Sequence, residues 1–144
     1  MRYAAPMSAL SDNLARNLND FGLLVLRLGM AGLMLTHGYP KAQQLFAGGE
    51  IQFADPIGVG ATASLALAVF GEVVAPAFLI VGFLTRWAAI PAAATMAVAA
   101  FVVHWSDPLA EKELALLYLV GFVVILCAGA GHYSIDGLRV KRKA

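Results

Sequence analysis

Four apolar stretches of about twenty residues each, with little chain between most of them, constrain this sequence more than any other feature. A helix needs about 20 residues to cross a hydrocarbon layer, and stretches of that kind run over 21–39, 62–84, 87–105 and 113–131. Of the 144 residues 60% are hydrophobic and only 13% charged, against roughly 25% charged in a soluble domain. A mean hydropathy of +0.77 agrees. The expected fold is an all-α integral membrane four-helix bundle with its contact surface turned to the lipid bilayer.

Local signals bound the spans. Asn19-Asp20 suits a helix start and Pro40 a stop, so the first span reads as "FGLLVLRLGMAGLMLTHGY". Leu84-Thr85-Arg86 is too short for anything but a tight turn between the second and third spans, and Pro91 falls in the first turns of the third, where proline is tolerated. The glycines after Cys127 suit the end of the fourth. Residues 1–20 are expected as a cytoplasmic amphipathic segment, with Ser8–Asn19 a short helix on the membrane surface, residues 21–138 as the bundle, and 139–144 as a basic tail. The leader lacks the cationic start, apolar core and cleavage site of a secretory signal in their usual order.

Charge distribution sets the orientation. With four spans, both termini and the 84–86 turn share a side, which collects Arg2, Arg16, Arg86, Arg139, Lys141, Arg142 and Lys143, while the other side has Lys41 and Lys112. The positive-inside rule then places both termini in the cytoplasm. The loop "PKAQQLFAGGEIQFADPIGVGA" falls on the outer face, and Leu45, Phe46, Ile51, Phe53 and Ile57 make it greasy for a segment in water. It reads either as a lid or re-entrant segment folded onto the bundle or as a loop resting on head groups; backbone at membrane depth must be buried in protein or line a cavity.

Two charges interrupt the spans. Arg27 lies in the first and Glu72 in the second, at comparable depth when one is read outward and the other inward. A lone charge at the bilayer centre costs roughly 2.5–3.5 kcal/mol, so a pair between Arg27 and Glu72 is expected. Pro76 lacks the N–H that would bond the Glu72 carbonyl, which predicts a bend there and a free acceptor, and the small-residue seam Ala68, Gly71 and Ala75 would admit a neighbouring helix to deliver the guanidinium. The residues leave open whether such a pair is a packing device or part of a ligand site.

A second polar group gathers at the outer end. His37 and Lys41 are four apart and share a face if the helix continues past Pro40; His104 and Trp105 end the third span, and Glu111 and Glu113 open the fourth. Beneath a greasy loop these would form a small-molecule site in which a histidine hydrogen-bonds a carbonyl oxygen, although such residues also serve as interfacial anchors. No metal-binding signature, phosphate loop, nucleophile elbow or Cys-x-x-Cys is present, and one cysteine permits no intrachain disulfide. Tyr118 and Cys127 read as interior packing, and the basic tail lacks the aromatic interleaving of a nucleic acid binder.

"LVLRLGMAGLMLTHGYPK", "GEVVAPAFLIVGFLTRWAAIPAA", "FVVHW" and "GAGHYSIDGL", in that order, resemble the DoxX family of small four-span membrane proteins. The resemblance runs over about residues 21–138, through Arg27, Gly29, His37-Gly38, Lys41, Glu72, Gly82, Thr85-Arg86, His104, Ser134 and Asp136. It implies a multi-pass protein of a bacterial inner (plasma) membrane, and a role as a small subunit of a redox system, quinone-linked or tied to oxidative stress. A quinone would be its ligand, with no covalent cofactor and with electrons supplied by a redox partner protein. Distant relatives that act as cargo receptors or assembly chaperones keep a second function open, that of a binding or assembly factor without redox activity. The alanine-rich third span could pack internally or against a second copy in a homo-oligomer. Arg27, His37, Lys41, Glu72, His104, Trp105 and Glu113 are the candidate ligand-binding residues, with no metal among the expectations and no catalytic residue singled out.

Overall fold

A computed structural model describes residues 7–141. Four long helices form an antiparallel bundle: Met7–Phe46, Ala61–Val81, Thr85–Val103 and Leu109–Ala128, followed by a short helix, Ile135–Lys141. The first three are long and apolar enough to cross a membrane. The fourth has 20 residues but opens on Glu111-Lys112-Glu113, and it packs along the third. Among the described residues there is no strand, and the chain is an all-α membrane protein.

The first helix departs most from expectation. It runs unbroken for 40 residues, about 60 Å at 1.5 Å per residue. There is no break at Asn19-Asp20, because nothing between Met7 and Phe21 is glycine or proline, and Ser8–Asn19 therefore belongs to the same helix as the span. Nor does Pro40 end it. Lys41 is tied to Glu72 of the second helix and Gln44 to the Gln52 carbonyl of the following loop, and these contacts hold the last turn beyond the proline.

Where Pro76 predicts a bend, the second helix carries a π turn over Phe70–Val74, in which the Ala75 N–H reaches back to the Phe70 carbonyl. The third helix ends in another, Ala99–Val103, closed by the His104 N–H on the Ala99 carbonyl. Such turns insert an extra residue into the helical ladder and are frequent at functional sites. Gly38 lets the first helix press on the first of them: a Cβ there would lie 2.6 Å from the Glu72 carbonyl oxygen. The seam that includes Gly71 lies against Pro91 and Thr95 of the third helix.

The core is built from small and medium side chains, with Ala31, Met34, Leu79, Ala89, Ala92, Phe122 and Ile125 at most 1% exposed. Alanine on the third helix brings backbones close, which is how helices associate where lipid offers no hydrophobic drive. Large apolar side chains such as Leu33, Leu67, Leu117 and Val120 face outward, as a lipid-facing surface requires. Cys127 is among the outward-facing residues, so its expected place in the interior is corrected.

Candidate functional site

Arg27 and Glu72, expected to pair, do not meet: Arg27 lies at the end where the second helix stops, and Glu72 lies in the middle of that helix and turns to Lys41 near the other end of the first. Arg27 is 2% exposed and donates from Nη1 to the Ala130 carbonyl and from Nη2 to the Tyr133 carbonyl, both at 2.6 Å. It stands at the level of Gly82, where a Cβ would fall 2.5 Å from Nη1. Glu72 precedes Gly82 by ten residues of the same helix, or about 15 Å. Depth counted from the ends of the apolar stretches misplaces the pair, because the first helix starts well before the span: position 27, in the middle of Met7–Phe46, lies level with Gly82 at the end of the second helix.

The Arg27 end is a clasp in which side chains are tied to backbone. Gly82 has φ 68 and closes the second helix, with the Phe83 N–H on the Phe78 carbonyl. Asp136 then caps the third helix through both oxygens, accepting from the N–H groups of Leu84 and Thr85 at 3.0 and 2.8 Å. Burial raises its pKa and is the largest single effect. The Thr85 and Leu84 donors and Arg139 together outweigh it, and hold the Asp136 carboxyl below its ordinary value. Asp20 accepts the His132 N–H, and Ser134 caps the short helix by accepting from Gly137. Arg27 Nε has no acceptor among the described residues.

The other end gathers His37, Lys41, Glu72 and His104. Glu72, 2% exposed, accepts a hydrogen bond from Lys41 Nζ at 2.5 Å. His37 is one turn before Lys41 and packs edge-on against Tyr118, ring centroids 5.7 Å apart. His104 Nδ1 is 2.7 Å from an Asp107 oxygen, which orients the imidazole. Trp105 points outward at 71% exposure. Glu113 lies with Leu117 and Val120 along a shallow concavity on the outer face of the fourth helix. Neither shares the space of the other four: Trp105 lies in the turn after the third helix, and helical rotation aims Glu113 elsewhere.

Beside the Lys41–Glu72 pair is a cavity of about 460 Å³. Its walls are Leu67, Ala68 and Phe70 of the second helix and Pro91, Ala94 and Val98 of the third. The loop after the first helix covers it with Phe53, Pro56 and Ile57. Asp55 pins this cover to the second helix by accepting from Ser64 Oγ and from the N–H groups of Val59 and Gly60. The Ser64 bond and these backbone donors lower its pKa. Leu67 and Phe70 remain about half exposed, so the cavity opens sideways between two helices. Lys41, Glu72 and His104 close its polar end.

Three contributors escape a reading of the sequence. Tyr118 reads there as packing, Asp107 lies outside the apolar spans although its spacing of three from His104 is a legible signal, and Asp55 gives no sign that it would pin the covering loop to the second helix. Among the described residues no group of three or more histidine, cysteine or acidic side chains could hold a metal ion.

A family model described as DoxX matches residues 22–105. The chain is 32% identical over 133 residues to Inner membrane protein YqjF of Escherichia coli (strain K12), a match covering 88% of this chain and 98% of that protein. Two uncharacterized proteins of Haemophilus influenzae (strain ATCC 51907 / DSM 11121 / KW20 / Rd) are also similar. One is 32% identical over 130 residues, covering 83% of this chain and 92% of that protein, and the other 29% over 123 residues, covering 81% and 82%. No solved structure matches the chain.

Proposed function

The chain belongs to the DoxX family of multi-pass membrane proteins, and from that premise we propose that it is a small inner-membrane subunit of a redox system, binding a quinone-type ligand in the lateral cavity. The carrying observation is the shape and chemistry of that cavity. A volume of about 460 Å³ lies within the roughly 300–1,000 Å³ of ordinary small-molecule sites. Its walls are mostly apolar, it opens sideways between two helices, and its ionisable groups Lys41, Glu72 and His104 are gathered at one end.

That end suits both oxidation states of such a ligand. The Lys41 ammonium can donate to a quinone carbonyl, and His104 can donate or accept according to its tautomer. Glu72 Oε2 is buried and accepts no hydrogen bond from the described residues, so it can take one from a hydroquinone hydroxyl. When bound, the quinone supplies the capacity to accept and release electrons, and the protein's own residues bind, orient and exclude water. An orientation with both termini cytoplasmic belongs to the same reading, since Arg86 and Arg139 lie at the clasp end of the bundle and Lys41 at the other.

The test is binding of a short-chain quinone analogue to purified protein in nanodiscs. Saturable binding is expected, weakened in His104→Ala and abolished in Ala94→Phe, which fills the cavity without touching the ion pair, while both variants keep their melting temperature. Absence of saturable binding to the native protein, with a membrane protein co-purifying in fixed stoichiometry, would point instead to an assembly role.

A further inference from the structure

The lateral cavity does not stop at the Lys41–Glu72 pair. On the other side of the pair, between the first, third and fourth helices, is a second cavity of about 160 Å³, which opens outward past the exposed His37, Glu111 and Leu114. Lys41, Glu72, Ala99 and His104 line both spaces, while His37, Glu111 and Tyr118 line only this inner one. The ion pair is therefore a partition between an apolar space open between the second and third helices and a smaller, more polar one that opens at the first and fourth. Both π turns lie at this partition, one carrying Glu72 and the other Ala99.

We propose that the inner chamber is a proton outlet for the lateral cavity, with Glu72 as the group that moves the proton across the partition. The ligand class is an apolar molecule bearing an acidic hydroxyl, a phenol or hydroquinone, so the inference rests on the ligand site described above. Glu72 meets the geometric requirement: it borders both spaces, and Oε2 has no donor among the described residues while Oε1 is held by Lys41.

The chemistry is an acid–base exchange in which no electron moves. The ligand O–H bond breaks, a Glu72 O–H bond forms, and the ligand oxygen is left as an oxyanion beside the Lys41 ammonium. Lys41 thus keeps one anionic partner before and after, so no unpaired charge is created in a low-dielectric interior, where it would be most costly. The proton next leaves Glu72 for the chamber and the carboxylate returns to Lys41 once the oxyanion departs. The titratable groups facing this route are Lys41 and His37 from the first helix, His104 from the third, and Glu111 and Tyr118 from the fourth. From the covering loop, Asp55 is already committed to Ser64 and to backbone donors. The chamber is large enough for bridging waters, and its lining offers them several polar partners.

An apolar 4-alkyl-2-nitrophenol tests this in nanodiscs, because its absorbance separates phenol from phenolate. Bound to the native protein it is expected to read as phenolate at a pH where the same probe in empty nanodiscs reads as phenol; Glu72→Gln, which leaves Lys41 to pair with the phenolate, is expected to keep that shift but to reach it severalfold more slowly after a pH jump. Ala115→Phe, which narrows the chamber, is expected to keep the shift at equilibrium but slow its relaxation severalfold after a pH jump. A probe that binds the native protein and stays a phenol overturns the proton transfer alone. A Glu72→Gln protein that relaxes as fast as the native one does the same, and native relaxation in Ala115→Phe overturns the outlet. Should Glu72→Gln fail to fold, the native and Ala115→Phe measurements still decide. A probe that does not bind at all overturns the ligand site and this inference together.

Discussion

At the end of the bundle that holds Arg27, buried charge is largely taken up by structure: the guanidinium joins two carbonyls, Asp136 joins two amides, and backbone and side chains interlock. At the end that holds Glu72, the same kind of buried charge is left partly unspent, with one carboxylate oxygen free of any donor among the described residues and a cavity on either side. Polar groups bound to backbone rigidify a fold, whereas those left incomplete beside a cavity keep a capacity for outside partners. On the function proposed above, the first end serves stability and the second binding.

Substitution can break that assignment. The largest effect is expected from Arg27→Met, which strips two partly buried carbonyls of their donor and should cost roughly 2–5 kcal/mol. Thermal unfolding in detergent measures it, and a loss below about 1 kcal/mol would dissolve the distinction between the ends. Gly82→Ala comes next, because φ 68 disfavours a side chain and the added Cβ would press on Arg27; about 1–3 kcal/mol is expected. A melting temperature unchanged from the native protein would show that the clasp yields more easily than its geometry implies.

Asp136→Asn keeps the shape of the helix cap and weakens its charge, for an expected loss of about 1 kcal/mol. Since Asp136 has its pKa lowered in the fold, its stabilisation is present above the ordinary aspartate value of about 3.9 and is lost as pH falls through the folded value. Acid unfolding followed by circular dichroism should therefore show a native protein that gives up stability only in that acidic range, with Asp136→Asn less sensitive there. The smallest effect on stability is expected at the other end. Glu72→Gln unpairs Lys41, which is about one-third exposed and can turn toward solvent, so the loss should stay near 1 kcal/mol or below. Ligand binding, in contrast, should be most sensitive at this position and unchanged in Asp136→Asn; the reverse order of sensitivities would exchange the roles of the two ends.

Much of this is legible in the sequence. Apolar runs of bilayer length, a tight turn between the second and third helices, found at residues 82–84 instead of 84–86, and an irregularity in the second helix near Pro76 all follow from local chemistry, and the convergence of His37 and His104 follows from the order of the spans. Which charge Glu72 meets is not legible. Pro40 reads as a terminus, and only continuation of the helix beyond it carries Lys41 onto the face of His37. Arg27 in turn finds backbone carbonyls of residues 130 and 133, and such acceptors have no signature among side chains.

Sequence alone determined that this chain must be a bundle of apolar helices, because hydrogen bonding within each helix is the way such stretches can enter lipid. Tertiary structure decided how the ionisable residues are partnered, because partnership depends on relative height along packed helices. A shift of a few residues in where a helix begins or ends moves a side chain by a turn or more, and no local pattern records that shift.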